Sequence, residues 1–309
     1  MTRGLLAIVG LTCSGKGKLA LDVADALGGP GAVGIVVCDS AKVYRGADVG
    51  TAKPPVEARR GYEFLMVDVV DPGVPYSAGR YMREGREACR RLWDRGKLAL
   101  VVGGTGLYFR ALRDGIAEAP PADEEVRAAL GARFDAGEDL YALLTRVDAA
   151  YAAKISPRDA KRIVRALEVY ELTGLPLSEI HGRGADPLAA GRVTAFALDA
   201  GRPWLAGRVE ERTDRMLSTG LASETKRLLE LAGGPTAPPL NAIGYRQMVR
   251  FLSGELDERA ARAEIVTETL RLAKRQRTWF KGERDIIHLA AEDGPETLAA
   301  TIIDAWRAS

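Results

Sequence analysis

Eight consecutive residues, Gly10-Leu11-Thr12-Cys13-Ser14-Gly15-Lys16-Gly17, have the make-up of an anion cradle. They fit the spacing G-x-x-x-x-G-K, with glycine where a serine or threonine ordinarily follows the lysine. Glycines let successive backbone N–H groups turn inward around an anion. A helix opening at Lys16 adds the positive end of its dipole, and the lysine adds a full charge. The chemistry favoured is the handling of a phosphate or diphosphate; a Gly-rich strand–helix turn without a ligand is the plain alternative. The hydroxyl after the lysine ordinarily coordinates Mg²⁺, and Gly17 has none. Magnesium would then depend on the phosphates, water, Asp39 or a hydroxyl such as Ser14.

A second chemistry is written in charge. Arg271, Lys274, Arg275, Arg277, Lys281 and Arg284 share one stretch with Trp279 and Phe280, and Glu283 is its only acid. Lys161, Arg162 and Arg165 fall on the polar side of a helical segment, and Tyr245 with Arg246 makes a third patch. Such residues suit phosphate contacts and stacking on unpaired bases. The alternative is a solvated helix face balanced by Glu and Asp.

The elements that must position these groups follow from periodicity. Leu5–Val9, Val33–Cys38, Phe64–Val70, Leu98–Val102, Val193–Leu198 and Ile286–Leu289 are short apolar runs that read as buried strands. Leu19, Ala20, Val23, Ala24 and Leu27 recur at helical spacing before Gly28 and Gly29. Strands alternating with helices predict an α/β fold with a mainly parallel sheet covered on both faces. Ligands in such sheets bind beyond the carboxyl ends of the strands, where Gly10, Asp39 and Gly103 stand.

The stretch from 116 to 187 is helical, rich in Ala, Arg, Glu and Asp, and without a convincing strand. It reads as an insertion, residues 1–115 and 188–309 forming the core, with the return at Asp186-Pro187. Ser156 is expected to cap a helix whose first turn holds Pro157 and which closes at Gly174 and Pro176.

Bulk properties set limits. A length of 309 residues suits about two domains. The net charge of +2 does not announce nucleic acid, so any such contact must use clustered basic residues. Three scattered cysteines imply no disulfide framework and point to the reducing cytoplasm. Two distant histidines argue against a His-based metal site. Met1-Thr2-Arg3-Gly4 runs straight into a strand with no leader pattern, and no apolar run approaches the length of a membrane span.

Several further segments resemble one family, the tRNA dimethylallyltransferases, also called tRNA isopentenyltransferases. They are the phosphate loop, Asp39-Ser40 with Val43-Tyr44-Arg45-Gly46, Gly50-Thr51-Ala52-Lys53-Pro54, Gly103 through Tyr108, and Asp159 through Gly174. Ala242 through Arg246 and Lys274 through Phe280 complete the set, and the likeness runs from about Leu5 to Lys281. The resemblance implies a P-loop NTPase-like core with a helical insertion domain that contacts tRNA. It implies transfer of a dimethylallyl group from dimethylallyl diphosphate to N6 of the adenosine next to the anticodon, with Mg²⁺ as cofactor, by a cytoplasmic monomer. Asp39 matches the family's general base; a helix cap or a Mg²⁺ ligand is its other reading. Thr105 and Arg212 match positions near the diphosphate and reaction centre, though Thr105 would also serve as a helix cap and Arg212 as a surface residue of a helix from Pro203 to Leu217.

The same resemblance places RNA contacts at Ser40, Ala41 and Lys42, at Arg127, and at Lys161, Arg162, Ile163, Val164 and Arg165. It adds Asn241, Ala242, Ile243, Gly244, Tyr245 and Arg246, and then Lys274, Arg275, Gln276, Arg277, Thr278, Trp279, Phe280 and Lys281. The chain departs from the pattern at Gly17, at Lys42 (Gln in the family), at Phe64-Leu65 (often His-His) and at Ser156 and Arg158 (commonly His and Asn). An amide both donates to and accepts from adenine, whereas lysine only donates. Two rivals stay open. One is an ATP-dependent kinase on the same core, which leaves the basic–aromatic stretch unexplained. The other is a tRNA-binding homologue without catalysis, motivated by Gly17 and Lys42.

Overall fold

The apolar runs pair into one sheet. The computed structural model describes residues 4–117, 119–182, 187, 188 and 192–308, so Met1-Thr2-Arg3 and the expected return residue Asp186 lie outside the described residues. Two compact units result, one of residues 1–112 with 188–309 and one of 113–187.

In the first unit, β1 (Gly4–Gly10) leads into α1 (Lys16–Ala26), then β2 (Val33–Cys38), β3 (Phe64–Leu65), α2 (Ala78–Asp94), β4 (Leu98–Gly103) and α3 (Gly106–Asp114). The second unit supplies α4 (Glu124–Asp135), α5 (Leu140–Val147), α6 (Ala149–Ala152), α7 (Ala160–Thr173) and α8 (Leu177–Gly182). The first resumes with β5 (Arg192–Asp199), α9 (Arg202–Ser218), α10 (Leu221–Ala232), α11 (Tyr245–Leu252), α12 (Glu258–Lys281), β6 (Ile287–Ala290) and α13 (Pro295–Ala308).

Among the described residues the strands lie in the order β3-β2-β4-β1-β5-β6, and every pair is parallel. Strand side chains alternate between faces, and β1 shows it. Leu5, Ala7 and Val9 join the core with Tyr81, Leu92 and Phe109, while Leu6 and Ile8 join Val23, Phe196 and Ile302 under α1 and α13. Both faces are covered, so β1 is buried along its whole length. The fold is α/β, with a P-loop NTPase-like core whose strand tips Gly10, Cys38 and Gly103 end side by side.

Two expectations are corrected. The third strand stops at Leu65 instead of Val70, because Met66 and Asp68 take φ of 62° and 56°, which break an extended ladder. That turn brings the Asp68 carboxylate to the buried Lys53 ammonium at 2.6 Å, where Asp48 joins it at 2.8 Å. Ser156 does not cap α7. Asp159 does, accepting from the Arg162 N–H, while Ser156 Oγ closes a turn onto Arg158.

The loop after β2 is fixed by one buried carboxylate. Glu224, 2% exposed on α10, accepts from the N–H groups of Asp48, Val49 and Gly50 at 2.9–3.0 Å, and from Tyr245 Oη at 2.6 Å. Removing it leaves three amides and a phenol without their acceptor, the Gly50 amide and the phenol fully buried and the other two amides partly so. Glu224→Ala is therefore expected to cost at least about 3 kcal/mol in urea unfolding, with an unchanged m-value. A loss below about 1 kcal/mol, the scale of one ordinary hydrogen bond, would mean the loop holds itself.

Candidate active site

The phosphate loop is built as its composition requires. β1 ends at Gly10, and α1 starts at Lys16 after Gly15, whose φ of 85° suits glycine alone at low cost. Cys13 also adopts a left-handed φ of 60°. The buried Ser14 turns its hydroxyl inward and donates to the Leu11 carbonyl at 2.8 Å. Lys16 Nζ donates to the same carbonyl at 2.9 Å. Loss of solvent first, and then the Lys42 ammonium, pull Lys16 down to about 8; Asp39 opposes this and Arg212 adds to it.

Three side chains from distant helices brace the loop. Gln276 on α12 accepts from the Thr12 N–H at 2.8 Å and donates to the Gly104 carbonyl at 2.9 Å, joining the loops at the tips of β1 and β4. Any side chain at Gly104 would strike that amide, since a Cβ there falls 2.5 Å from Gln276 Nε2. From α9, Arg212 donates to Thr12 Oγ1 at 2.8 Å and Arg208 to the Cys13 carbonyl at 3.0 Å. The sequence reading gave Gln276 to RNA and missed Arg208. No local pattern links residues 264 or 195 positions apart, so neither bracing contact had a signal to find.

Asp39, just past β2, forms a tight turn. Its Oδ1 accepts from the N–H groups of Ala41 at 2.9 Å and Lys42 at 3.3 Å. Among the described residues Oδ2 has no hydrogen-bond partner. Thr105, past β4, holds the turn from the side, with Oγ1 accepting from the Ser40 N–H at 3.0 Å and donating to Ser40 Oγ at 3.3 Å. Lys42 Nζ donates to the Ala52 carbonyl at 3.0 Å. Burial lowers the Lys42 pKa, Asp39 raises it, and Arg212 and Lys53 lower it further. Lys16 and Lys42 thus each feel both the Asp39 carboxylate and the Arg212 guanidinium.

These residues offer magnesium few ligands of their own. Gly17 offers no hydroxyl, Ser14 Oγ spends its hydrogen on the Leu11 carbonyl and keeps only its lone pairs, and Asp39 Oδ1 is already shared by two amides. Among the described residues no cluster of three or more His, Cys, Asp or Glu side chains converges. Mg²⁺ in phosphate sites is usually held by one or two carboxylates together with substrate phosphates and water, and Asp39 is the carboxylate this site would contribute.

The structure sorts the expected RNA contacts. In the first unit Lys274, Arg275, Thr278, Lys281, Asn241 and Arg246 are exposed, with Ala242 and Ile243 half-buried. Tyr245 is corrected: it is fully buried and bonded to Glu224, so it has no face for a base. Phe280 is likewise core, and the Trp279 ring lies under the Arg110 guanidinium, 4.4 Å from its centroid. Arg277 turns inward to Asp199 at 2.6 Å. In the second unit Ile163 and Val164 are core residues, while Lys161 and Arg162 are exposed. Arg127 and Arg165 grip the buried Glu168 at 2.8 and 3.0 Å, which is a structural task.

A lowered Lys16 pKa has a measurable consequence. Its ammonium, the form that binds an anion, is lost as pH rises through about 8. Affinity for inorganic diphosphate is expected to fall across that range, and Lys16→Arg, which stays charged, is expected to remove the fall. Parallel profiles in calorimetric titrations of the two proteins would show that Lys16 is not the titrating group.

The IPP transferase family model matches residues 42–283. A tRNA dimethylallyltransferase of Koribacter versatilis is 40% identical over 284 residues, 91% of either chain. That of Halorhodospira halophila is 39% identical over 297 residues, covering 95% of this chain and 94% of its own. The crystal structure of tRNA delta(2)-isopentenylpyrophosphate transferase from Staphylococcus epidermidis superposes with a TM-score of 0.70 at 28% identity, over 98% of both chains. A eukaryotic dimethylallyltransferase acting on tRNA gives a TM-score of 0.75 at 26% identity, over 93% of this chain and 74% of that one. With a phosphate loop, an Asp39 turn and a match of this length, the chain belongs to the IPP transferase family.

Proposed function

We propose that this protein is a prenyltransferase that moves a dimethylallyl group from dimethylallyl diphosphate to N6 of the adenosine next to the anticodon in tRNA. The observation that carries the reading is that a cationic anion cradle at the tip of β1 and the Asp39 carboxylate at the tip of β2, with β4 between them, influence one another electrostatically. The N6 lone pair attacks the allylic carbon as the carbon–oxygen bond breaks, and the diphosphate departs with the bonding electrons. Lys16, Arg212 and the loop amides stabilise the charge growing on that leaving group. Asp39 takes the N6 proton through Oδ2, because Oδ1 is held by the turn. Thr105 fixes that turn and so aims the carboxylate. The adenine must leave its stack to reach this depth, and Lys274, Arg275, Lys281 and Arg246 are the exposed cations of this unit that suit the RNA backbone. Lys161 and Arg162 offer a second set on the helical unit.

Transfer of label from dimethylallyl diphosphate to tRNA, run beside an ATPase assay, tests the reaction. ATP turnover without transfer would favour a kinase. Asp39→Asn keeps an acceptor for the turn and removes the base. It is expected to lower single-turnover transfer by about 10²–10⁴-fold with tRNA binding retained; transfer within a few-fold of wild type would remove Asp39 from the chemistry. Neutralising Lys274 and Arg275 together is expected to weaken tRNA binding and flatten its log–log salt slope by roughly 1.5. An unchanged slope would move the RNA face elsewhere.

A further inference from the structure

The phosphate loop and the Asp39 turn are tied to opposite halves of the sheet. The Leu11 N–H donates to the Leu198 carbonyl on β5 at 3.1 Å, while the Thr105 N–H donates to the Cys38 carbonyl on β2 at 3.2 Å. The ladder between β1 and β4 ends at Ile8 and Val102, before either loop begins. Among the described residues, no hydrogen bond runs directly between residues 11–15 and residues 104–106. The backbone therefore leaves the two loops unjoined where a leaving group and a base must be held in register.

Gln276 makes the join. Its Oε1 accepts from the Thr12 N–H at 2.8 Å, and its Nε2 donates to the Gly104 carbonyl at 2.9 Å. The N–H can only donate and the carbonyl only accept, so the amide has one orientation, and neither an acid nor an amine would satisfy both ends. One turn further along α12, the Trp279 ring packs on the same loop, since a Cβ at Gly106 would fall 2.2 Å from its Cδ1. Residues three apart share a helix face, so α12 holds the β4–α3 loop at two points. Between those points stands Thr105, whose Oγ1 accepts from the Ser40 N–H at 3.0 Å in the turn that carries Asp39.

We propose that Gln276 is a positioning residue for the transfer: its amide takes the place of the ladder bond that the β1 and β4 tips lack, and so sets the Asp39 carboxylate in register with the diphosphate. The proposal rests on the transfer reading above and deepens it. Gln276 touches no reacting atom; it acts through Thr12 on one side and through Gly104 and Thr105 on the other. A misplacement of about 1 Å costs on the order of 10²-fold in rate. The role also takes Gln276 away from the RNA contacts that surround it on α12.

Single-turnover transfer at saturating tRNA and dimethylallyl diphosphate tests this, in a cycle of Gln276→Met with Asp39→Asn. Methionine keeps the length and the helix preference but cannot bridge. Gln276→Met is expected to lower the rate by about tenfold or more, with tRNA affinity within about threefold of wild type. In the Asp39→Asn background the same change is expected to cost less than about threefold, because no base is left to align. Gly104→Ala attacks the bridge from its other end, where a Cβ would meet Gln276 Nε2 at 2.5 Å. It is expected to give the same pattern, so the result is read from either variant if the other does not fold. Folded variants that transfer within about threefold of wild type overturn the proposal. So does an equal loss in both backgrounds, which marks a purely structural role, or a tRNA affinity that falls in step with transfer, which marks an RNA contact. The two levels separate at Asp39→Asn. If it transfers like wild type, the reading of Asp39 has failed and the proposal falls with it; if it loses transfer while Gln276→Met does not, only the role of Gln276 has failed.

Discussion

The chemistry proposed for this protein depends on holding positive charge together where an anion can reach it. Lys16 is repelled by Lys42 and Arg212, and the loop between Gly10 and Lys16 contains neither of those two. The fold solves this from outside. Gln276 grips the loop and its neighbour at Gly104, Arg212 and Arg208 pin Thr12 and Cys13, and the parallel sheet sets the strand tips side by side. Rigid bracing of this kind supplies pre-organised charge that need not rearrange as the leaving group develops its own.

The carboxylates divide the remaining labour. Asp39 keeps one oxygen in its turn and leaves the other without a hydrogen bond among the described residues, and Thr105 steadies the turn. Glu224, Asp48 and Asp68 fold the loop that follows, through Tyr245, Lys53 and three backbone amides. That loop carries Ala52, the carbonyl on which Lys42 rests. A change at Glu224 would thus reach the site without touching a reacting atom.

What was legible in the sequence was local. The strands were readable because burial on both faces leaves unbroken apolar runs, and the phosphate loop because its chemistry sits in consecutive residues. The third strand was read too long, since apolar composition does not reveal that Met66 and Asp68 turn left-handed to satisfy Lys53. The basic stretch of α12 looked uniform, yet composition cannot say which cations face inward: Arg277 finds Asp199 and Gln276 finds Thr12, while Lys274 and Arg275 stay exposed. Tyr245 passed for a stacking residue because its partner Glu224 lies 21 residues away with no periodic link. Long-range pairings decided each of these cases.

The central claim is that one pocket joins a diphosphate to a carboxylate across a reacting adenine. Nucleoside mass spectrometry of tRNA incubated with the purified protein and dimethylallyl diphosphate addresses it directly. The account predicts an adenosine beside the anticodon that is heavier by one dimethylallyl group, with free diphosphate released in equal amount. Diphosphate released into water with every nucleoside unmodified would contradict it.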